Sequence, residues 1–428
     1  MDGGSPAARR AGRAGCGGRV GPLGPLHRRG MVAGAPTFWR RPVAAALLLA
    51  ALAAQAVPLV PASDDERIES LPARRAPPVV AVPGQGTTPD PAAAVREAGE
   101  LLAQAHADGD PRFAGRALAR LQPWADDPRA PAPLVLMLAQ VEQYIHRFDA
   151  AEARLKALLA RDTRQPQAWL TLATLQRLRG RYAESDASCA ALGRLNLAAL
   201  HAQACSAENR ALRGDVEGAR RQFGVLLAQA PDAGTRAWLL TSVGELEQRA
   251  GRNAAAEQAL RSAWKLDPQD RYAPLALADL LIDQQRGADA LKVLDTQPRS
   301  DPVLLRRVAS QQFIAAAQPQ RGHAPAPGLS TDQAELRERF AQAAQRPGAF
   351  DGHAREQALY AWWVEGDLPA AVRHAQANLA TQREPFDLLL LARVAAAAGD
   401  RAALAQAAQV QKAMDLHDQR LDRLLAQP

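Results

Sequence analysis

Between Gln167 and Leu192 the chain reads QAWLTLATLQRLRGRYAESDASCAAL. Trp169, Leu172, Ala173 and Gln176 recur at the three- and four-residue steps that place side chains on one helical face. Tyr182, Ser185 and Cys189 repeat the pattern after Arg179-Gly180-Arg181, where Gly180 can take a backbone turn that a side chain resists. The spacing therefore predicts two short helices hinged at Gly180. Neither can bury its stripe alone, and one period of 34 upstream Val135, Leu138, Ala139, His146, Phe148 and Ala151 stand at the matching positions. A fixed period of this kind predicts helical pairs stacked on one another.

The same register continues. Residues 132–165 and 166–199 follow strictly, and the next unit, 200–236, has Gly214 at its hinge, Ala219 and Phe223 on its second helix and Pro231 at its exit. Residues 237–270 carry Val243, Gly244, Gly251, Ala256, Ala263 and Pro268, and 271–300 form a looser copy with Leu277, Ala278, Ala290 and Leu294. Upstream, 91–131 predicts a degenerate pair broken at Asp108-Gly109-Asp110-Pro111, suited to shielding the first apolar face of an open array. Downstream, 301–428 predicts a helix to Ala317, a break over 318–328, and a helix opened by a capping box at Ser330 to Gln333. Pairs hinged at Gly366 and Gly399 follow, then a terminal cap over Leu416–Leu425. The whole amounts to about eight pairs.

The spacing of an aromatic, a Leu, a small residue, a hinge Gly, an aromatic, an Ala and a closing Pro resembles the tetratricopeptide repeat. Trp169, Leu172, Ala173, Gly180 and Tyr182 match it, as do Gly214, Ala219, Phe223 and Pro231, and several copies share the register over 132–300. Departures are Ser185 at a usual Ala position, and His146 and Gln285 at hinge positions that usually hold Gly. The resemblance implies an all-α fold, a right-handed α-solenoid or superhelix of tetratricopeptide-like hairpins, whose first helices line a concave surface that holds peptides or partner proteins.

Charge narrows the partner. The formal net charge of +7 resides in residues 1–56, which carry eight Arg and one Asp; 44 basic and 44 acidic residues remain beyond them. The excess belongs to the leader, so nucleic acid is not expected as a partner. Within the leader, Arg40-Arg41 precedes the apolar run Val43–Ala54 and then Ala54-Gln55-Ala56, the order of a secretory signal peptide, with cleavage expected after Ala56. A bilayer span needs about 20 apolar residues, more than this run provides. The expected location is periplasmic or secreted, and the alternative is an inner-membrane anchor formed by an uncleaved leader. Residues 1–30 precede a second methionine, Met31, which would itself open a conventional signal peptide. Residues 57–90, with Pro58, Pro61, Pro72, Pro77, Pro78, Pro83 and Pro89, predict an extended linker.

Candidate chemistry is sparse. The sequence holds no phosphate-cradling Gly-rich loop with Lys and Ser/Thr, no His-Glu-x-x-His and no Gly-x-Ser-x-Gly. Its eight His show no metal-ligand spacing. No cofactor, metal or catalytic residue is expected. Cys189 and Cys205 fall on touching helices of consecutive repeats; in an oxidising setting they favour a bridge over two buried thiols. Closing a loop of about 15 residues would contribute about 3 kcal/mol.

The expected binding groove takes one residue per repeat in order, Gln140, Thr174, Glu208, Glu245 and Asp279. Gln167, Arg177, His201, Trp238, Gln248, Tyr272 and Asp283 are their neighbours. The set lacks the Lys, Arg and Asn with which family members clamp a carboxylate, and it turns acidic towards the later repeats with Trp238 and Tyr272 as flat platforms. The expected function is an exported, non-enzymatic scaffold or adaptor for a basic or neutral protein segment with an apolar anchor. The alternatives are carboxylates that are merely solvated, a self-associating structural element of the envelope, and an enzyme with a site in 301–350 that uses His323, Asp351 or the neighbouring His353.

Overall fold

The computed structural model describes residues 90–196, 198–317, 329–345 and 353–426. Among them helix is the only regular structure. The first pair is α1 (Pro91–Asp108) and α2 (Pro111–Leu121); α3 (Ala132–Tyr144) with α4 (Phe148–Arg161), and α5 (Pro166–Leu178) with α6 (Tyr182–Arg194), follow. Next come α7 (Ala199–Leu212) with α8 (Val216–Gln229), α9 (Ala233–Arg249) with α10 (Asn253–Leu266), and α11 (Tyr272–Asp283) with α12 (Gly287–Leu294). Then α13 (Asp301–Ala316) and α14 (Leu329–Ala344) precede α15 (Ala354–Tyr360), a π-helical turn at Ala361–Glu365, and α16 (Leu368–Asn378). The chain closes with α17 (Pro385–Ala398), α18 (Arg401–Met414) and α19 (Gln419–Leu425). The leader, the proline-rich linker and the Ser330 side chain lie outside the described residues, and so do His323 and Asp351.

Two local devices fix the pairs. Helix starts are pinned by aspartates that accept from first-turn amides: Asp90 from Ala92 and Ala93, Asp215 from Gly218, Asp232 from Thr235, and Asp400 from Ala403. Hinges are built as one repeated turn. His146, Gly180, Gly214, Gly251 and Gln285 all take positive φ. The amide after each donates to the carbonyl five residues before it: Arg147 to Glu142, Arg181 to Gln176, Asp215 to Arg210, Arg252 to Glu247 and Arg286 to Leu281, at 2.8–3.0 Å. That bond closes the last helical turn and satisfies a carbonyl that would otherwise lack a partner. The unusual hinge residues His146 and Gln285 therefore keep the turn that glycine makes elsewhere.

Packing follows the stripes. Leu121, Leu134, Leu138, Leu155, Leu175, Leu192, Phe223 and Leu226 are fully buried between pairs, each contributing about 1.5–3 kcal/mol by area. Ser185, also fully buried, donates to the Ala173 carbonyl at 2.8 Å and accepts from Asn209 at 2.9 Å, so its hydroxyl is satisfied where Ala is usual. Cys189 and Cys205, on α6 and α7, are joined by a disulfide with Cα atoms 5.8 Å apart.

The C-terminal helices depart from the expected simple cap. The α19 helix packs on α17, but the segment from Gln382 to Arg423 also lies along the hinge turns of the early repeats. Gln382 Nε2 meets His146 Nδ1 at 2.9 Å, the Arg383 amide donates to the Leu178 carbonyl at 2.8 Å, and the His417 amide donates to the Leu212 carbonyl at 2.8 Å. Arg213 pairs with Asp415 at 3.1 Å, and Met414 covers Gly180. Met414, Leu416 and Leu421 share one apolar cluster with Tyr182 and Leu212. Two backbone carbonyls that end α5 and α7 find donors here, a reason for this Gln382–Arg423 segment, a strap, to sit on hinges and not on helix flanks.

Candidate functional site

The first helices of successive pairs place His201, Trp238 and Tyr272 near their N-termini and Glu208, Glu245 and Asp279 two turns further on. His201 stacks on Trp238 with ring centroids 5.3 Å apart and planes inclined by 19°. Burial lowers the His201 pKa, which favours the neutral imidazole for stacking, while Asp232 pulls the other way. Tyr272 is 54% exposed, and its hydroxyl donates to the Glu245 carboxylate.

The carboxylates of the expected acidic groove have partners within the chain. Arg177 pairs with Glu208 at 2.5 Å, and Ser242 donates to the same carboxylate at 2.7 Å. Arg306 grips Asp279 through two nitrogens at 2.8 and 2.7 Å. Asp283 meets Arg393 at 2.7 Å, Arg420 at 3.5 Å and Gln248 Nε2 at 3.3 Å. These carboxylates are thus ion-paired within the chain. Thr174 and Gln248 are buried, Thr174 donating to the Leu170 carbonyl at 3.0 Å, and neither is open to a ligand. Gln140 and Gln167 are half-buried, Gln167 bonding to Thr171 at 3.2 Å.

Glu245 differs. Among the described residues no basic side chain forms an ion pair with it. Burial raises its pKa above the ordinary carboxylate value; Arg249 and the Tyr272 hydroxyl oppose the rise, and Glu208 and Glu384 add to it. The neighbouring Glu245 carboxylate pushes the Tyr272 phenol well above its ordinary value, so it stays a hydrogen-bond donor.

Sequence reasoning named Arg177 but missed the other arginines. Arg306 stands 34 residues after Tyr272, and continuing the period by one copy would have placed it beside Asp279. Nothing in the period points to Arg393 or Arg420, which reach Asp283 from the C-terminal helices. Near them Arg355 holds Asp387 at 2.7 Å and also Glu384, with Asp387 fully buried.

A cavity of about 500 Å3 opens elsewhere, between the second and third hinges and the loop before α17, with Asp149, Glu152, Lys156, Arg179, Arg181 and Arg383 in its lining. Its acids are already paired with Arg179, Arg181 and Lys156. Among the described residues no group of His, Cys, Asp or Glu could hold a metal ion, and no helix is long and apolar enough to cross a membrane. His353 packs against His146 with ring centroids 5.1 Å apart.

Residues 248–310, spanning the end of α9 through most of α13, match the tetratricopeptide repeat family. The chain contains tetratricopeptide repeats. No curated protein matches its sequence. Among solved structures, a tetratricopeptide repeat protein from Parabacteroides merdae is similar at 13% identity and a TM-score of 0.37, over 70% of this chain and 99% of that one. Human IFIT1 in complex with PPP-AAAA is similar at 14% and 0.43, over 79% and 73%. The tetratricopeptide domain of P58(IPK) is similar at 12% and 0.23, over 68% and 95%. At such scores these likenesses say nothing of partners. The expectation that nucleic acid is not a partner rests on the charge balance of the sequence alone.

Proposed function

We propose that this chain is an exported, non-enzymatic scaffold that receives a segment of another protein on the inner face of its tetratricopeptide array. The observation that carries this reading is Tyr272: a large aromatic side chain left 54% exposed among helices whose other inner-face groups are largely paired or buried. Beside it the His201–Trp238 stack offers a second flat surface, and aromatic side chains of this kind dominate the energetics of protein recognition. Export is supported by the leader sequence and by the Cys189–Cys205 bridge, a bond that persists in oxidising compartments. Charge neutrality beyond the leader favours a protein partner over nucleic acid.

A photo-crosslinking residue at Gln140 or Gln167 on the inner face, and at exposed Val225 on α8 as the control, tests the reading in the native host. One stoichiometric adduct from the inner positions, absent from Val225, is the expected result, with a mature N-terminus at Val57 in the envelope fraction. Equal labelling from both faces, or none, would overturn the inner-face scaffold. An intact leader on a cytoplasmic protein would overturn export.

A further inference from the structure

We infer that the inner face carries a receptor for one cationic side chain of the partner segment, a Lys or Arg placed over the Tyr272 ring with its charge against Glu245. The inference rests on the scaffold reading and specifies the chemistry of the same face. Three observations converge on it. Glu208, Asp279 and Asp283 have arginine partners within the chain, whereas Glu245 has a hydroxyl donor and, among the described residues, no ion pair. Its donor is the most exposed large aromatic side chain among the described residues, so a π-face and a carboxylate are presented together. The flanking His201 and Trp238 supply stacked planar surface for the neighbouring apolar part of the segment.

Two cations lie near: Arg249, one turn beyond Glu245 on α9, whose Nε is buried with no hydrogen-bond partner and which forms no ion pair with Glu245, and Arg355, whose charge acts on Tyr272 but which is held by Glu384 and Asp387. Glu208 and Glu384 add negative potential, though each is tied to its own arginine. The Tyr272 hydroxyl covers one side of the carboxylate and leaves capacity for a further donor, since an ionised carboxylate accepts about four hydrogen bonds. A cation entering along the exposed ring gains both the quadrupole of the ring and the carboxylate, an arrangement strengthened by partial exclusion of water. Arg suits the ring face by stacking its planar guanidinium, and Lys presents a compact charge to Glu245.

The test uses the full chain with four sets of immobilised nonapeptides of random flanks, their central residue fixed as Lys, Arg, Leu or Glu. Retention by the chain is compared with that by Glu245→Gln and Tyr272→Leu, each checked for an unchanged melting curve. Lys- or Arg-centred peptides should be retained about tenfold better than Leu-centred ones, and both variants should lose that preference. Retention with no preference for a cation, or a preference that survives both variants, overturns the cation receptor and leaves the scaffold standing. No retention of any set overturns both.

Discussion

Met414 lies directly on Gly180. A Cβ built on Gly180 would stand 2.7 Å from the Met414 Cε and 2.8 Å from its Sδ, and the glycine holds φ at +71°. The hinge of the third pair is thus read twice, once by the turn it makes and once by the strap that covers it. Gly180→Ala is expected to lower stability by about 1–3 kcal/mol, from the left-handed backbone and from the displaced methionine together. The two causes separate in a double-mutant cycle. His146 shows that a side chain can occupy an equivalent turn, so combining Gly180→Ala with Met414→Ala should recover the contact part of the loss. Urea denaturation of the four proteins measures it. Strict additivity would mean that Met414 does not rest on this hinge.

The disulfide offers an independent prediction. Cys189 and Cys205 close a loop across consecutive repeats, separated by 16 residues. Loop entropy assigns such a bridge about 3 kcal/mol. Reduction, or the double substitution Cys189→Ala with Cys205→Ala, should lower the unfolding midpoint, and the oxidised chain should show no free thiol by alkylation and mass measurement. An alkylated thiol at either position in the native, unreduced protein would rule the bridge out.

The strap has a pH dependence whose sign follows from His146. Burial, helped by His353 and Arg355, lowers its pKa from 6.5 to about 3, and its Nδ1 faces Gln382 of the strap. The folded state therefore holds a neutral imidazole where the unfolded chain binds a proton below about 6.5. The stability tied to neutral His146 is complete above that value and is lost progressively as pH falls towards about 3. His146→Asn keeps a residue that tolerates the left-handed turn and removes the titration. Between pH 6.5 and 5, above the range of ordinary carboxylates, the unmodified chain should lose stability that the variant retains. Equal slopes in the two proteins would exclude the histidine as the cause.

The repeats were legible because a solenoid writes its core as a period. Ala173, Gly180, Ala219 and Phe223 announce close packing and turns through residue type alone, and each pair needs only its neighbours. The shared register of His201, Trp238 and Tyr272 near the starts of α7, α9 and α11 was legible, but the partners of the carboxylates were not. Arg306 follows from one more copy of the period. Met414, Arg393 and Arg420 act on residues more than a hundred positions away, and no local pattern records which distant side chain covers a hinge or neutralises Asp283. The arginine partners of Asp283 went unread for that reason. Glu245 also changes how the groove must be tested: reversing Glu208 would break the Arg177 pair and the Ser242 bond, whereas Glu245 can be altered without removing an internal ion pair among the described residues.

The placement of the strap depends in turn on Arg355. Its guanidinium bridges Glu384 and Asp387 at the start of α17, the helix that follows the loop touching His146 and Leu178. The Asp387 side chain has no exposed surface, and it also accepts from Asn378 at 2.7 Å and from the Glu384 amide at 2.9 Å. Burial raises its pKa while Arg355 opposes the rise, so the arginine is what keeps an ionised carboxylate tolerable there. Arg355→Met removes the charge but keeps an apolar stem of similar reach, leaving Asp387 buried without its cation. That should cost about 3–5 kcal/mol. Adding Asp387→Asn should recover much of the loss, because a neutral amide needs hydrogen bonds and not a counter-ion. Hydrogen exchange would locate the effect, with faster exchange at the Arg383 and His417 amides if the strap lifts before the repeats unfold. If those two amides exchange only with global unfolding in Arg355→Met, the strap is held without this pair.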